Sequence, residues 1–194
     1  MNNRPIRVVI LNGSVRSNNY TAMAAAVVAD ELEKDPEVQA EIVNPGLDLP
    51  LPGTNSNAPG TKLLQEKVKN ASAIILATPE YHGSFSSVTK LIIENLGFPS
   101  ALSGKPVGLL GVAAGAIGAI KSLEHLRGVV SHVGGIVLPQ SASVSNVHDV
   151  FDRQGHILDP GAEKQLRGLA TQVIHYLELH ECPRVALEAL RGVA

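Results

Sequence analysis

Apolar strand-like runs alternate with amphipathic helical patterns along almost the whole chain, and this alternation limits the possible folds more than any other feature. The predicted strands cover 6–11, 38–43, 71–79, 104–113 and 134–139, and the predicted helices cover 21–34, 61–70, 86–96, 117–133 and 162–181. Most of the strands are continuous apolar runs, a pattern typical of strands buried on both faces. The sequence therefore predicts an α/β fold in which helices cover both faces of a parallel sheet.

Five strands of this kind fit a doubly wound sheet with the strand order 2-1-3-4-5. In such a sheet, ligands bind beyond the carboxyl ends of the strands, at the point between the first and third strands where the order reverses. The loops 12–21, 78–84 and 113–118 would meet there. A chain of 194 residues is long enough for one core, so we expect a single domain at 1–182 and a short tail at 183–194.

Composition excludes several functional classes. The formal net charge is −2 and no run of Lys or Arg occurs, so we expect no nucleic-acid partner. No apolar run approaches the roughly 18 residues that span a bilayer, and the first residues lack the pattern of a signal peptide, so we expect no membrane partner. Cys182 is the single cysteine, which excludes an internal disulfide, and we expect a cytoplasmic protein. The seven histidines lack metal-ligand spacing near carboxylates, so we expect no metal site.

The stretch after the first strand reads "NGSVRSNNYT" and leads into a helix. Backbone N–H groups at a helix start, together with the helix dipole, favour an anion, and Arg16 adds a fork that can bind phosphate or carboxylate in a bidentate manner. There is no G-x-x-x-x-G-K-[ST] motif for a triphosphate and no pair of acids for Mg²⁺. A small phosphate is the favoured ligand, and a helix cap with spare polar residues is the alternative.

The other two loops offer a flat platform and a glycine-lined wall. In "ATPEYHGSFS", Pro79 and Gly83 shape a turn, while Tyr81 and His82 can present flat faces to a planar ring. A capping tyrosine and a solvated histidine are the alternatives at those two positions. The third loop, "GVAAGAIGAIKS", lacks the first glycine of G-x-G-x-x-G and the acid that would hold a ribose. A dinucleotide site is therefore not predicted there, and tight helix–sheet packing is the alternative to ligand contact.

Together, "GSVRSNNYT", "TPEYHGSFSSVTK" and "GVAAGAIGAI" resemble the NAD(P)H-dependent FMN reductases of the flavodoxin-like superfamily, which include quinone, azo-dye and chromate reductases. The resemblance covers roughly 6–140. It implies bound FMN, NADPH or NADH as the reductant, and a flavin, quinone, azo compound or metal oxyanion as the electron acceptor. Because the flavin carries the chemistry, no protein side chain is expected to be catalytic. The cofactor-binding residues that the resemblance implies are Ser14, Arg16, Asn19, Tyr20 and Thr21 at the phosphate, Pro79, Glu80, Tyr81, His82 and Gly83 along the ring and ribityl chain, and Gly115 at the far side of the ring.

The sequence departs from the family pattern in the helix at 86–96. The family often has a proline or glycine there, followed by an "LKNAIDW"-like helix, whereas this chain reads "SSVTKLIIENL". The resemblance also implies a homodimer or homotetramer, and the helices at 86–96 and 117–133 are the candidate interface elements. Two other functions stay open at this point: a flavodoxin-type electron carrier without NAD(P)H oxidase activity, and a scaffold protein that has lost the cofactor.

Overall fold

The structure, a computed structural model, describes residues 6–44, 49–55, 57–183, 187 and 191. In chain order the elements are β1 (Ile6–Asn12), α1 (Tyr20–Leu32), β2 (Val38–Val43), α2 (Pro59–Asn70), β3 (Ala73–Tyr81), β4 (Ser84–Phe85), α3 (Ser87–Glu94), β5 (Pro106–Val112), α4 (Ile120–His132), β6 (Ile136–Val137), β7 (Ala142–Val144), α5 (Val147–Val150) and α6 (Pro160–Tyr176), which continues as a π-helical turn (Leu177–Glu181). The predicted tail at 183–194 lies largely outside the described residues, as do positions 45–48 and 56 of the loop that follows β2.

The main sheet is parallel and has the order β2-β1-β3-β5-β6. In its centre, Val8 of β1 lies opposite Ala40 of β2 on one side and Ala73 of β3 on the other. The short strand β4 pairs antiparallel with β3 and lies outside this path. When β4 is left out of the count, the order is the predicted 2-1-3-4-5. The order reverses beside β1, so the carboxyl ends of β1 and β3 lie next to each other at one edge of the sheet.

Alternate residues of the central strands enter different cores, because successive strand side chains point to opposite faces. Val8 and Ile10 pack with α1 and α6 on one face. Val9 and Leu11 pack with α2, α3 and α4 on the other face. Helices therefore cover both faces, as predicted, and the continuous apolar runs in β1, β3 and β5 reflect burial on two sides.

The fifth strand position differs from the prediction at 134–139. Only Ile136–Val137 forms β6, beside the start of β5, and a second segment, β7, pairs with the end of β5. Pro139 lies between the two segments and has no N–H to donate to a neighbouring strand. Gly134 adopts a φ of +87° in the turn before β6, which glycine tolerates more readily than other residues. The edge of the sheet is thus divided into two short strands.

An ion-pair cluster holds α1 against α6. The Arg167 guanidinium lies 2.7 Å from the Asp30 carboxylate, 2.8 Å from Glu31 and 2.9 Å from Glu163. The hydrogen bond from Arg167 lowers the pKa of Asp30, and the hydrogen bond from Lys34, assisted by Arg167, lowers the pKa of Glu31. These contacts join residues from opposite ends of the chain. None of the described helices is long and apolar enough to cross a lipid bilayer.

Candidate functional site

The first loop leaves β1 through a glycine that has almost no free space around it. The Gly13 N–H donates to the Ala77 carbonyl at 2.7 Å. A Cβ atom at Gly13 would lie 1.9 Å from the Thr89 Oγ1 and 2.9 Å from the Ala77 oxygen. The close approach of three segments at this point therefore requires glycine. It brings the start of the loop directly beside β3 and α3.

Asn19 organises the end of the first loop. It is the N-cap of α1, and its Oδ1 accepts from the Ala22 N–H at 2.7 Å while its Nδ2 donates to the Arg16 carbonyl at 2.7 Å. The cap satisfies one of the first N–H groups of the helix. The N–H groups of Tyr20 and Thr21 have no partner within the helix, and both residues line a cleft. This end of α1 is suited to an anion.

A cluster of buried hydroxyl groups lies behind the first loop and connects it to the second. This hydroxyl cluster consists of Thr78 at the end of β3, Ser86 at the N-cap of α3 and Thr89 in its first turn, all fully or almost fully buried. The Ser86 Oγ donates to the Gly13 carbonyl at 2.6 Å, and the Thr89 Oγ1 donates to the Thr78 Oγ1 at 3.0 Å. The loop after β1 is thereby fixed to the strand and helix that carry the second loop.

The second predicted loop, 78–84, is mostly strand. β3 continues through Pro79 to Tyr81 because Ser84–Phe85 returns antiparallel to it as β4. The intervening His82 and Gly83 have φ values of +51° and +75°, as the two central residues of a type I′ hairpin turn require. His82 is exposed at this turn, and Tyr81 is placed at the end of the strand.

Glu80, in the second loop, is bonded to the helix that follows the third loop. Its Oε2 accepts from the Ser122 N–H at 3.3 Å, in the first turn of α4, where the N-cap Ala119 offers no side-chain acceptor. The carboxylate therefore caps α4 from a neighbouring strand and complements the helix dipole. The interaction with α4 stabilises the Glu80 carboxylate in the cleft that Arg16 also lines.

The third loop is joined to the segment that follows β7. The Ala113 carbonyl accepts from the Val147 N–H at 3.1 Å, and the Gly115 carbonyl accepts from the Asn146 N–H at 3.2 Å. At Gly118, a Cβ atom would lie 2.7 Å from the Ser143 Oγ. The first, second and third loops form three walls of the cleft, and these contacts bring α5 to it as the fourth wall.

The four walls enclose a cleft of about 390 Å³ at the carboxyl edge of the sheet, a volume in the range of small-molecule sites, roughly 300–1,000 Å³. The Arg16 guanidinium lies 5.2 Å from the centre of the Tyr81 ring, a cation–π contact between the first and second walls. The lining residues are Ser14, Arg16, Ser17, Asn18, Asn19, Tyr20, Thr21, Pro79, Glu80, Tyr81, Val112, Ala113, Ala114, Val147 and His148.

Eight of the eleven predicted site residues therefore line the cleft, namely Ser14, Arg16, Asn19, Tyr20, Thr21, Pro79, Glu80 and Tyr81. His82, Gly83 and Gly115 are absent from the lining: the first two form the hairpin turn and Gly115 lies in the turn of the third loop. Val112 and Ala113 end the predicted strand at 104–113 and Ala114 follows them in the predicted third loop, so these three could have been found from the sequence. Val147 and His148 carried no such signal, because the hydrogen bonds that place them connect distant segments.

A family model described as NADPH-dependent FMN reductase matches residues 6–149 of this chain. An NAD(P)H-dependent FMN reductase of Pseudomonas aeruginosa is 29% identical over 182 residues, which span 90% of this chain and 94% of that protein. An FMN-dependent NADPH-azoreductase of Staphylococcus aureus is 30% identical over 167 residues, which span 82% of this chain and 87% of that protein.

Solved structures share the fold at lower sequence identity. The flavoenzyme NAD(P)H:(acceptor) oxidoreductase FerB of Paracoccus denitrificans superposes with a TM-score of 0.75 at 22% identity, over 90% of this chain and 98% of that one. A flavodoxin of Streptococcus pneumoniae superposes with a TM-score of 0.57 at 16% identity, over 88% of this chain and 97% of that one. These likenesses establish a flavodoxin-like fold.

Proposed function

The chain belongs to the NADPH-dependent FMN reductase family, and we propose that it reduces small electron acceptors in the cleft described above. It is an FMN-dependent NAD(P)H oxidoreductase. The acceptor class that we propose first is quinones and azo compounds, with free flavin and metal oxyanions as further substrates. The azoreductase name of one relative supports the azo compounds in particular.

The observation that carries the proposal is the set of groups that line the cleft. The first loop contributes the N-terminus of α1, the Arg16 guanidinium and the hydroxyls of Ser14 and Thr21, which suit a phosphate. The second and third loops contribute the Tyr81 ring and the small side chains of Ala113 and Ala114, which suit a flat ring. This donor set fits FMN.

We assign each group of residues a role toward the cofactor. Ser14, Arg16, Tyr20 and Thr21 bind the phosphate, and Asn19 contributes by holding the loop, because both ends of its side chain are bonded to backbone. The second and third loops would lie along the ribityl chain and the ring, where their backbone N–H groups would stabilise negative charge on the ring. The residues assigned to these loops are Pro79, Glu80, Tyr81, His82, Gly83 and Gly115.

Bound FMN would supply the redox chemistry that joins hydride donation by NAD(P)H to reduction of the second substrate. The chain's own contribution is binding, orientation and electrostatics. Arg16 lies at the surface over Tyr81 and contributes positive charge for the cofactor phosphate. We assign no proton transfer to a protein side chain.

Reconstitution of the purified chain with FMN, followed by addition of NADPH or NADH, tests this function. We expect uptake of FMN, seen in the visible spectrum, and loss of absorbance at about 340 nm once a quinone or azo dye is added. Uptake of FMN without NAD(P)H oxidation would favour the electron-carrier alternative. A protein that stays colourless with excess FMN would instead support the scaffold alternative.

We also propose a homodimer or homotetramer that works in the cytoplasm. Large apolar side chains are exposed beside α3 and at the start of α4: Phe98 is fully exposed, and Ile117 and Ile120 are 75% and 49% exposed. The exposed side chains of Ile117 and Ile120 support an interface at the start of α4. Sedimentation-equilibrium measurements of the wild type and Ile117→Glu would test it, since the charged residue should shift the mass toward the monomer. A monomeric wild type would contradict the proposal.

A further inference from the structure

The fourth wall of the cleft contains an imidazole that no motif in the sequence indicated. His148 lies in α5, is exposed, and lines the cleft together with the residues of the first loop. Its position is fixed by the chain immediately before it, where Asn146 and Val147 donate backbone hydrogen bonds to the third loop. The backbone hydrogen bonds to the third loop therefore hold His148 at the cleft.

The imidazole is at the end of the cleft formed by the start of α1. The centres of the His148 and Tyr20 rings are 5.1 Å apart and the ring planes are at 85°, an edge-on contact. Tyr20 is the first residue of α1 and also packs against Phe151, with ring centres 6.3 Å apart. One aromatic contact thus places the imidazole beside the helix end to which the proposed function assigns the phosphate.

The ring nitrogens of His148 are available for a ligand. Among the described residues, no side chain or backbone group makes a hydrogen bond to them. The carboxylate of Glu80, which lines the same cleft, is bonded to the start of α4. The Arg16 guanidinium, on the first loop, lines the same cleft. An imidazole beside a helix N-terminus, in a cleft that also contains a guanidinium, is suited to bind an anion.

We propose that His148 donates a hydrogen bond to the phosphate of FMN and so helps this chain to distinguish FMN from riboflavin. The inference rests on the proposed function, because it assigns the phosphate to the same end of the cleft. His148 acts as a binding residue, and the hydride step does not involve it. Its contribution adds a donor from the carboxyl-terminal half of the chain to a phosphate site otherwise built from the loop after β1.

Two substitutions separate hydrogen bonding from packing. His148→Phe keeps an aromatic ring for the edge contact with Tyr20 but removes both nitrogens, and His148→Gln keeps an N–H donor without the ring. His132→Phe, at an exposed histidine near the end of α4, is the matched control. Quenching of flavin fluorescence on titration would give the dissociation constants for FMN and for riboflavin, and far-UV circular dichroism would verify folding of each variant.

We expect His148→Phe to weaken FMN binding about tenfold, as for a lost hydrogen bond to a charged group, while riboflavin binding changes less than about twofold. His148→Gln should retain most of the preference for FMN, and His132→Phe should match the wild type. Equal losses for both ligands in His148→Phe would make the imidazole a packing residue and overturn the inference, as would unchanged FMN binding. A wild type that binds no FMN would overturn the proposed function and this inference with it.

Discussion

At the scale of single residues, Arg16 is the side chain whose charge the candidate site depends on most. Arg16→Ala should weaken FMN binding by about 10- to 100-fold, because a hydrogen bond to a charged group contributes roughly 1.5–3 kcal/mol. Riboflavin, which lacks the phosphate, should bind the variant and the wild type almost equally. Arg16→Lys keeps the charge without the fork and should fall between them. Equal FMN dissociation constants for Arg16→Ala and wild type would contradict the phosphate assignment.

Gly13 is a second residue on which the site depends, because almost no space is left around it. Gly13→Ala should destabilise the protein by about 1–3 kcal/mol, the usual cost of overpacking, because its Cβ would lie 1.9 Å from the Thr89 Oγ1. For a chain of this size, that loss corresponds to about 2–12 °C in the melting temperature. Gly115→Ala is the matched control, since a Cβ there meets nothing within 4 Å. Similar melting curves for the two variants would disprove the close packing at Gly13.

At the scale of elements, α4 depends on a cap supplied by another part of the chain. Glu80→Ala removes the carboxylate that accepts from the Ser122 N–H and should cost about 1 kcal/mol, like the loss of a helix cap, or roughly 2–4 °C in melting temperature. Glu80→Gln, which keeps an acceptor, should lose less. Glu124→Ala, at an exposed position of the same helix, should be near neutral. Thermal unfolding of the three variants without FMN would measure the effect, and a Glu80→Ala curve equal to that of Glu124→Ala would refute it.

Some of the elements that form the site could be predicted from the sequence, and others could not. The walls built from β1 and β3 were predictable, because a buried strand followed by polar residues and a helical pattern is a local signal. Ser86 lies at the start of a predicted helix, and serine is one of the residue types preferred at the N-cap. Pro139 marked the end of the fifth strand in the sequence, but the pairing of β7 with β5 and the approach of His148 were not predictable, since they depend on hydrogen bonds between β5, β7 and the third loop. Local periodicity contains no information about such long-range contacts.

At the scale of the whole molecule, the contact between α1 and α6 makes stability depend on pH. The folded protein lowers the pKa of Asp30 and Glu31 below their ordinary values, so the unfolded chain binds more protons as the solution becomes acidic. Stability should therefore be at its full value above about pH 5 and should fall as the pH drops through the ordinary carboxyl range, about 4, toward the lowered values.

Denaturant unfolding of the wild type and Arg167→Met at a series of pH values from about 7 to 3 would measure this dependence. The variant should be less stable than the wild type at neutral pH, and the difference should shrink as the solution is acidified. Arg153→Met, a change at an arginine for which no ion pair is seen within the described part of the chain, controls for the loss of one positive charge. Parallel pH curves for wild type and Arg167→Met would show that the ion pairs do not contribute.

The order of the whole sheet was correctly predicted because few topologies fit alternating strands and helices. The two separate cores were implicit in the same pattern, since a strand that is apolar at every position must face packed helices on both sides. The predicted helix at 117–133 begins later, at Ile120, because Gly118 must adopt a φ of +74° beside Ser143. Side-chain neighbours of this kind decide the ends of elements, and they are known only once the fold has formed.

The contact between Gly13 and Thr89 also constrains how the sequence can evolve. A mutation that enlarges residue 13 is penalised while the hydroxyl at position 89 is present, and loss of that hydroxyl still leaves the Ala77 carbonyl oxygen 2.9 Å from the new Cβ. The order in which substitutions arise therefore matters, and position 89 must change before any alternative at position 13 becomes less harmful. Descendants of this sequence are accordingly expected to retain glycine after the first strand even where neighbouring loop residues diverge.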